Sequence, residues 1–372
     1  MRSDGGGRRI STLTLAGAYV GTVVGAGFAS GQEVLQFFGY FGWRGYLGIG
    51  LSSILFAVFG YLVLRLGREL GANSHRELMY RVGGPYLGMI IDGIVTVFLF
   101  GALTVMAAGS GAVFVEQFGF SSFLGSLVML AATLGTVLLG LHGVITAISL
   151  IAPVLLLAVV GIAVASVWTD PGLFMANLLN WSEVGRTPVP SWPLAAVLYL
   201  SYNLVLAVPV LAPMGVVARP GSLKMGALLG GLGLGLGVAA INSAVLTRVP
   251  AAAGWEVPML VVAGGISPGI RLAFTIVLFA EIYSTAVASL YGFATRLREQ
   301  TGDIIYAGVA TVTSVGALAA AQLGFSAIVS LLFPAVGAAG FLLLGALVWG
   351  TVRPLVVRAS ELLALRPPTR LR

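Results

Sequence analysis

The chain has 372 residues, of which 58% are hydrophobic and only 9% charged, and its formal charge is +7. Soluble domains carry roughly 25% charged residues, so a fully wetted surface is excluded and lipid is the solvent for most of the chain. With no cysteine and only two histidines, disulfides and thiol chemistry are excluded and too few ligands remain for a zinc site.

Apolar stretches of about 20 residues mark spanning helices, and the sequence predicts ten. The first covers 10–40 and is long and interrupted. Arg8-Arg9 ahead of it resembles a secretory signal, but the apolar run continues past Phe28 and many more follow, so it is read as a retained span. The others are 46–66, 88–115, 122–141, 144–168, 193–218 (interrupted), 224–247, 270–297, 303–322 and 326–350. Between the seventh and eighth lies Arg248 to Gly269, with Trp255-Glu256-Val257-Pro258 and Gly264-Gly265-Ile266-Ser267-Pro268. That stretch reads as short helical pieces capping one face.

Basic residues set the orientation. With the N-terminus in the cytoplasm, 16 of the 20 Lys and Arg fall inside, and only Arg44, Arg186, Arg248 and Arg271 fall outside. Such a bias requires an even helix count and places both termini on the inner side of a bacterial cytoplasmic membrane. It also accounts for the net charge without a nucleic-acid partner. The interruptions near Gly27 and Pro209 lie 182 residues apart, as do the starts of spans 3 and 8 and of spans 5 and 10. The expected fold class is therefore an all-α integral membrane protein in a 5+5 inverted repeat. Its first five-helix repeat is 1–182 and its second is 183–372, within one structural domain.

The first interruption contains Gly25, Gly27 and Gly31 in seven residues. Glycine is permissive in φ and costs about 1 kcal/mol per helical position. Ser30-x-x-Glu33 matches a capping box, so a new helix is expected at about Gly31. Backbone groups freed inside a membrane are tolerated where they line a cavity or bind something, and free N–H groups suit a carboxylate. In the second interruption, Pro209 and Pro213 each remove a donor and free a carbonyl one turn upstream. Freed carbonyls suit an ammonium group, and donors opposite acceptors suit a zwitterion. The plain alternative is two kinked helices with no ligand.

The substrate candidates are Gly25, Ala26, Gly27, Phe28, Ser30 and Gly31 of the first interruption and Tyr202, Asn203, Leu206 and Pro209 of the second. Tyr19 and Tyr199 are further candidates for the wall of the site. Glu281, mid-span in the eighth segment, is a candidate proton carrier, because a buried acid is costly in a membrane. Ser284 and Thr285 offer hydroxyls for Na⁺ beside the carbonyls of the first interruption, or for hydrogen bonds back to their own helix. Glu33 is either the capping-box acid or an ion-coupling group. Asp92 suits a helix start, His142 a solvated turn. Gly17, Gly21 and Gly25, like Gly233 and Gly237, are spaced for close helix packing. The glycines from 230 to 237 lie within a span and follow no strand, so they are no nucleotide loop. No enzyme motif and no G-x-x-x-x-G-K-[ST] loop occurs, and no cofactor is expected beyond Na⁺ or H⁺ as a coupling ion.

The stretch Gly21-Thr22-Val23-Val24-Gly25-Ala26-Gly27-Phe28-Ala29-Ser30-Gly31-Gln32-Glu33 closely resembles the first helix of the bacterial YkvI-type membrane proteins, within the amino acid–polyamine–organocation superfamily. Ser201-Tyr202-Asn203 to Pro209 is similar to the same group. The resemblance implies a leucine-transporter (LeuT-like) fold with helices 1 and 6 broken around the substrate. It also implies a sodium site between helices 1 and 8, near Gly21, Val24 and Ser284 or Thr285. Some relatives replace that sodium with a lysine in helix 5, and segment 5 here has none. Many relatives have twelve helices, against the ten expected here. The expected function is secondary transport of an amino acid or similar small carboxylate or zwitterion by alternating access. The alternatives are a nutrient sensor related to spore-germination receptor subunits, and an uncoupled channel. No Lys or Arg lies at either interruption, so a strongly anionic substrate is disfavoured.

Overall fold

The computed structural model describes residues 10–72, 74–139, 141–180, 187–219, 221–301 and 306–364, with the side chains of 26, 75, 139, 141–153, 180, 297–301 and 353–364 outside the description. Of the basic residues that enter the orientation, Arg2, Arg8, Arg9, Arg186, Arg366, Arg370 and Arg372 lie outside the described residues, as do the side chains of Arg298, Arg353 and Arg358. So does the side chain of His142, which sits in the first turn of a helix.

The chain is helical almost throughout, as a lipid-facing backbone must be to satisfy its own polar groups. The helices are α1 Thr12–Val23, α2 Ala26–Ser30, α3 Gln32–Phe37, α4 Trp43–Leu70, α5 His75–Phe118, α6 Ser122–Leu139 and α7 Leu141–Thr169. They continue with α8 Pro171–Asn180, α9 Trp192–Val217, α10 Ser222–Leu246, α11 Pro258–Ile266, α12 Pro268–Thr301, α13 Tyr306–Ala321 and α14 Phe325–Ala364. Among the described residues six helices are long and apolar enough to cross a membrane: α4, α5, α9, α10, α12 and α14. A seventh crossing arises if α7 and α8, bent by 94° at Asp170, are taken together. α1, α6 and α13 are shorter apolar helices.

Several boundaries differ from the sequence reading, each for a local reason. α5 contains a break at Gly84, with φ 75° and ψ −178° ahead of Pro85, so a helical piece precedes the expected span. Glycine adopts that φ cheaply, and a residue before proline avoids the helical region. α8 is an unforeseen piece, turned away where Pro171 follows Asp170. Asp92 lies well inside α5 and pairs with Arg296 of α12, rather than serving a helix start. The main correction concerns α9. It was expected to be interrupted, yet it runs unbroken from Trp192 to Val217 through Pro209 and Pro213.

Neighbouring backbones explain that continuity. α4 packs along α9 and α10, while α5 packs on α12, α6 and α14. A β-carbon on Gly67 of α4 would collide with the Ala212 carbonyl of α9, and one on Gly215 of α9 would collide with the Leu64 carbonyl of α4. Ser201 Oγ donates to the Gly337 carbonyl of α14 at 2.7 Å. With α4 and α14 fixing it on two sides, α9 loses one hydrogen bond per proline without unwinding.

Candidate functional site

α1 opens under Ser11, whose Oγ accepts from the Thr14 N–H at 3.3 Å. It ends where the Val24 N–H reaches the Val20 carbonyl at 2.9 Å. Val24 (φ −68°, ψ 118°) and Gly25 (φ −143°, ψ −173°) are extended, and α2 starts at Ala26. The last carbonyls of α1 and the first N–H groups of α2 thus lack intrahelical partners. Gly31 takes φ 80° between α2 and α3, and a β-carbon there would approach Met259 of α11 at 2.9 Å. Both the φ and the crowding require glycine.

α10 holds the interrupted segment. Leu15, Tyr19 and Val20 of α1 and Phe28 of α2 lie over Gly226, Gly230, Gly233 and Gly237, where β-carbons would stand 2.6, 2.5, 3.2 and 2.8 Å from them. The α10 glycines therefore seat the broken helix. Gly17, by contrast, faces open space and does not serve close helix packing. The Tyr19 hydroxyl donates to the Phe56 carbonyl at 2.9 Å, so Tyr19 packs α1 on α4 and does not wall the site.

The capping box does not form. Ser30 Oγ donates to the Gly27 carbonyl at 3.1 Å and accepts from the Gln32 N–H at 3.2 Å, leaving Glu33 out. Glu33 instead points toward α9. Its exposure is 4%, Oε1 accepts the hydroxyl proton of Tyr202, and Oε2 lies where a β-carbon of Gly27 would be. Asn203 and Tyr199 also face this carboxylate. The Asn203 amide donates to the Tyr199 carbonyl at 2.9 Å, and the Tyr199 hydroxyl makes no hydrogen bond of good geometry. A local sequence motif gave way to a partner 169 residues away.

Rings pack about Tyr202, the donor to this carboxylate. Tyr202 stacks on Phe333 of α14 with centroids 4.7 Å apart and planes at 17°. Phe98 of α5 meets both edge-on at 6.3 and 6.1 Å. Phe37, one turn beyond Glu33, lies 5.6 Å from Tyr202, and Tyr199 lies 5.5 Å from it. Phe37, Phe98 and Phe333 were not among the expected site residues. Only the placement of Phe37 four residues after Glu33 hinted at one of them.

On the other side of the interruption, Thr285 of α12 touches Gly25, its Cγ2 and Oγ1 lying 3.8 and 3.9 Å from where a β-carbon would be. Glu281, one turn earlier, is 3% exposed and faces Thr285, while its Oε2 has no hydrogen-bond partner. Ser284 Oγ donates to the Glu281 carbonyl at 3.0 Å, so its proton serves its own helix. The fold thus gathers Gly27, Glu33, Tyr202 and Asn203 on one side of the interruption and sets Thr285 against Gly25 on the other, while Gly31 faces α10 and α11. No described contact brings Ser284 to Gly21 or Val24. Leu206 and Pro209 stay half-buried in an unbroken helix.

Above α3 a polar chain closes the structure. The Glu116 carboxylate at the end of α5 accepts the N–H groups of Glu256 and Val257 at 2.5 and 3.1 Å. Glu256 Oε2 caps the start of α14 through the Phe325 and Ser326 N–H groups at 2.7 and 3.1 Å. Ser326 Oγ in turn receives the side-chain amides of Gln32 and Gln36 at 2.6 and 3.2 Å. A separate apolar depression of about 670 Å³ lies between α7, α8 and α10, lined by Val160, Val164, Trp168 and Ala240. Its lining includes none of the polar groups at the interruption.

No protein-family model matches the chain. It is 29% identical over 342 residues to the uncharacterized membrane protein YkvI of Bacillus subtilis (strain 168), across 91% of this chain and 95% of that protein. Its structure is similar to that of MhsT in complex with L-phenylalanine, with a TM-score of 0.61, 17% identity and coverage of 93% and 90%. It is also similar to a substrate-bound, outward-open Na⁺-coupled sialic acid symporter, with a TM-score of 0.61, 15% identity and coverage of 90% and 77%. Apolar spans, sequence kinship and fold agree: the chain is a membrane-protein homologue of YkvI built on a LeuT-like fold.

Proposed function

We propose that the protein is a secondary transporter that moves an amino acid or similar small zwitterion by alternating access across the bacterial cytoplasmic membrane, with both termini inside. The observation that carries this reading is the extended Val24–Gly25 pair between α1 and α2. Backbone freed within a membrane protein calls for a partner, and a small bound solute supplies one. The six long spans, the bent α7–α8 pair and the three shorter apolar helices support a ten-helix reading. That count fits two five-helix repeats, 1–182 and 183–372. In this reading the N–H groups from Gly25 to Phe28, at the start of α2, receive the substrate carboxylate; those of Ala29 and Gly31 already bond the Gly25 and Phe28 carbonyls. Similarity to symporters supports ion coupling, with H⁺ at Glu281 or Na⁺ held by oxygens of Gly21, Val24 and Thr285.

Counterflow in proteoliposomes loaded with single amino acids tests the reading. Saturable exchange that a Na⁺ or proton gradient accelerates is expected; flux that rises linearly with concentration contradicts it. Glu281→Gln should abolish acid-driven uptake with binding intact if the coupling ion is a proton. Thr285→Ala should remove Na⁺-dependent thermal stabilisation if it is sodium. A variant with the parent's ion dependence takes that residue out of coupling.

A further inference from the structure

We infer that Glu33 and the aromatic rings about it form the subsite for a positively charged nitrogen, restricting the substrate to amines and ammonium zwitterions. The inference rests on the transport reading and narrows it.

Glu33 is a nearly fully buried acid, and no Lys, Arg or His among the described residues pairs with it. Its Oε1 is engaged by Tyr202, while Oε2 is turned onto Gly27 in the first turn of α2, beside the interruption. An ionised carboxylate in such surroundings is costly until a counter-charge arrives. The walls of the site are also suited to a cation. Phe37, Phe98 and Phe333 each contact Tyr202, the ring that donates to the acid, and Phe333 borders the space above Gly27 that Glu33 Oε2 enters. Ring faces attract ammonium groups, most strongly where water is excluded.

The continuity of α9 strengthens this assignment. The nitrogen was expected to meet carbonyls released by an unwound helix near Leu206 to Pro209, but α9 stays wound there. The strong acceptor that faces α9 is instead the Glu33 carboxylate, which reaches Tyr202 from α3. An acid without a nitrogen would meet that carboxylate with no basic side chain to offset it. The rival is a proton on Glu33, which neutralises the acid without any cationic ligand. Glutamine has the shape of the protonated acid and separates the two.

The test uses two matched triads with the full chain: L-phenylalanine, phenethylamine and 3-phenylpropionate; L-alanine, ethylamine and propionate. Thermal shift reads binding and counterflow in proteoliposomes reads transport. Amine-bearing members of at least one triad should bind the parent, acid-only members should not, and Glu33→Gln should weaken amine binding about tenfold or more. Phe333→Leu keeps an apolar wall but removes a ring face. It should weaken amine binding as well, which keeps the test alive if Glu33→Gln does not fold. Glu33→Gln binding amines as tightly as the parent, or acid-only members binding in place of amines, overturns the subsite and leaves transport standing. Amine binding without counterflow supports the subsite and overturns the transport reading. Binding of none of the six overturns the subsite.

Discussion

The segments from Thr12 to Phe37 and from Trp192 to Val217 carry comparable helix breakers, the clustered Gly25, Gly27 and Gly31 in one and the interior Pro209 and Pro213 in the other, yet only the first leaves the helix. The difference lies in what each residue does to the backbone and in what surrounds it. Glycine opens conformations closed to other residues, so Gly31 can sit at φ 80°. Proline only withdraws a donor and crowds the preceding turn. A helix held on both sides can absorb that loss, and α9 is held by α4 through Gly67 and Gly215 and by α14 through Ser201.

The largest expected effect comes from attacking the clamp on the unbroken helix. Gly215→Val should push α9 off the Leu64 carbonyl of α4, a backbone contact that no side-chain rotation relieves. A loss of about 3 kcal/mol is expected, read as a marked drop in the thermal midpoint in detergent. A midpoint equal to the parent's would remove the clamp as the reason α9 stays wound.

The broken segment offers a matched pair. A β-carbon on Gly27 collides with Glu33 Oε2 and stands 3.1 Å from Phe333, whereas one on Gly25 meets only Thr285 at 3.8 Å. Gly27→Ala should therefore cost about 1–3 kcal/mol and abolish substrate binding by displacing the carboxylate. Gly25→Ala should cost less than about 1 kcal/mol, since its φ of −143° suits any residue. Equal effects of the two substitutions would show that Glu33 does not occupy the space above Gly27.

These contrasts also show how far the sequence could be read. The interruption of the first helix was legible because Gly25, Gly27 and Gly31 cluster within one apolar run, and clustered glycine is a local signal. The span pattern was legible because lipid imposes length and hydropathy on each helix separately. The role of Glu33 was not, since Ser30-x-x-Glu33 satisfies a local motif, and its hydrogen bond to Tyr202 depends on α3 and α9 meeting in space. Phe37, Phe98 and Phe333 were indistinguishable from ordinary packing aromatics until three helices brought them to one carboxylate. The continuity of α9 was hidden for the same reason: Gly67 and Gly215 lie on different helices and act only as a pair.

The smallest expected effect belongs to the prolines, and it bears most directly on transport. Pro209→Ala returns an N–H that can reach the Val205 carbonyl within a helix that is already wound. Stability should therefore hold or rise, by no more than about 1.5 kcal/mol for one regained hydrogen bond. If α9 remains wound throughout the cycle, exchange rates should follow the parent's. If α9 must open where Val205 lacks its partner, the same substitution should slow exchange while the thermal midpoint rises. A slower, more stable variant would make Pro209 a hinge held shut in this conformation. A variant unchanged in both would assign all backbone rearrangement at the site to the glycines of the first helix.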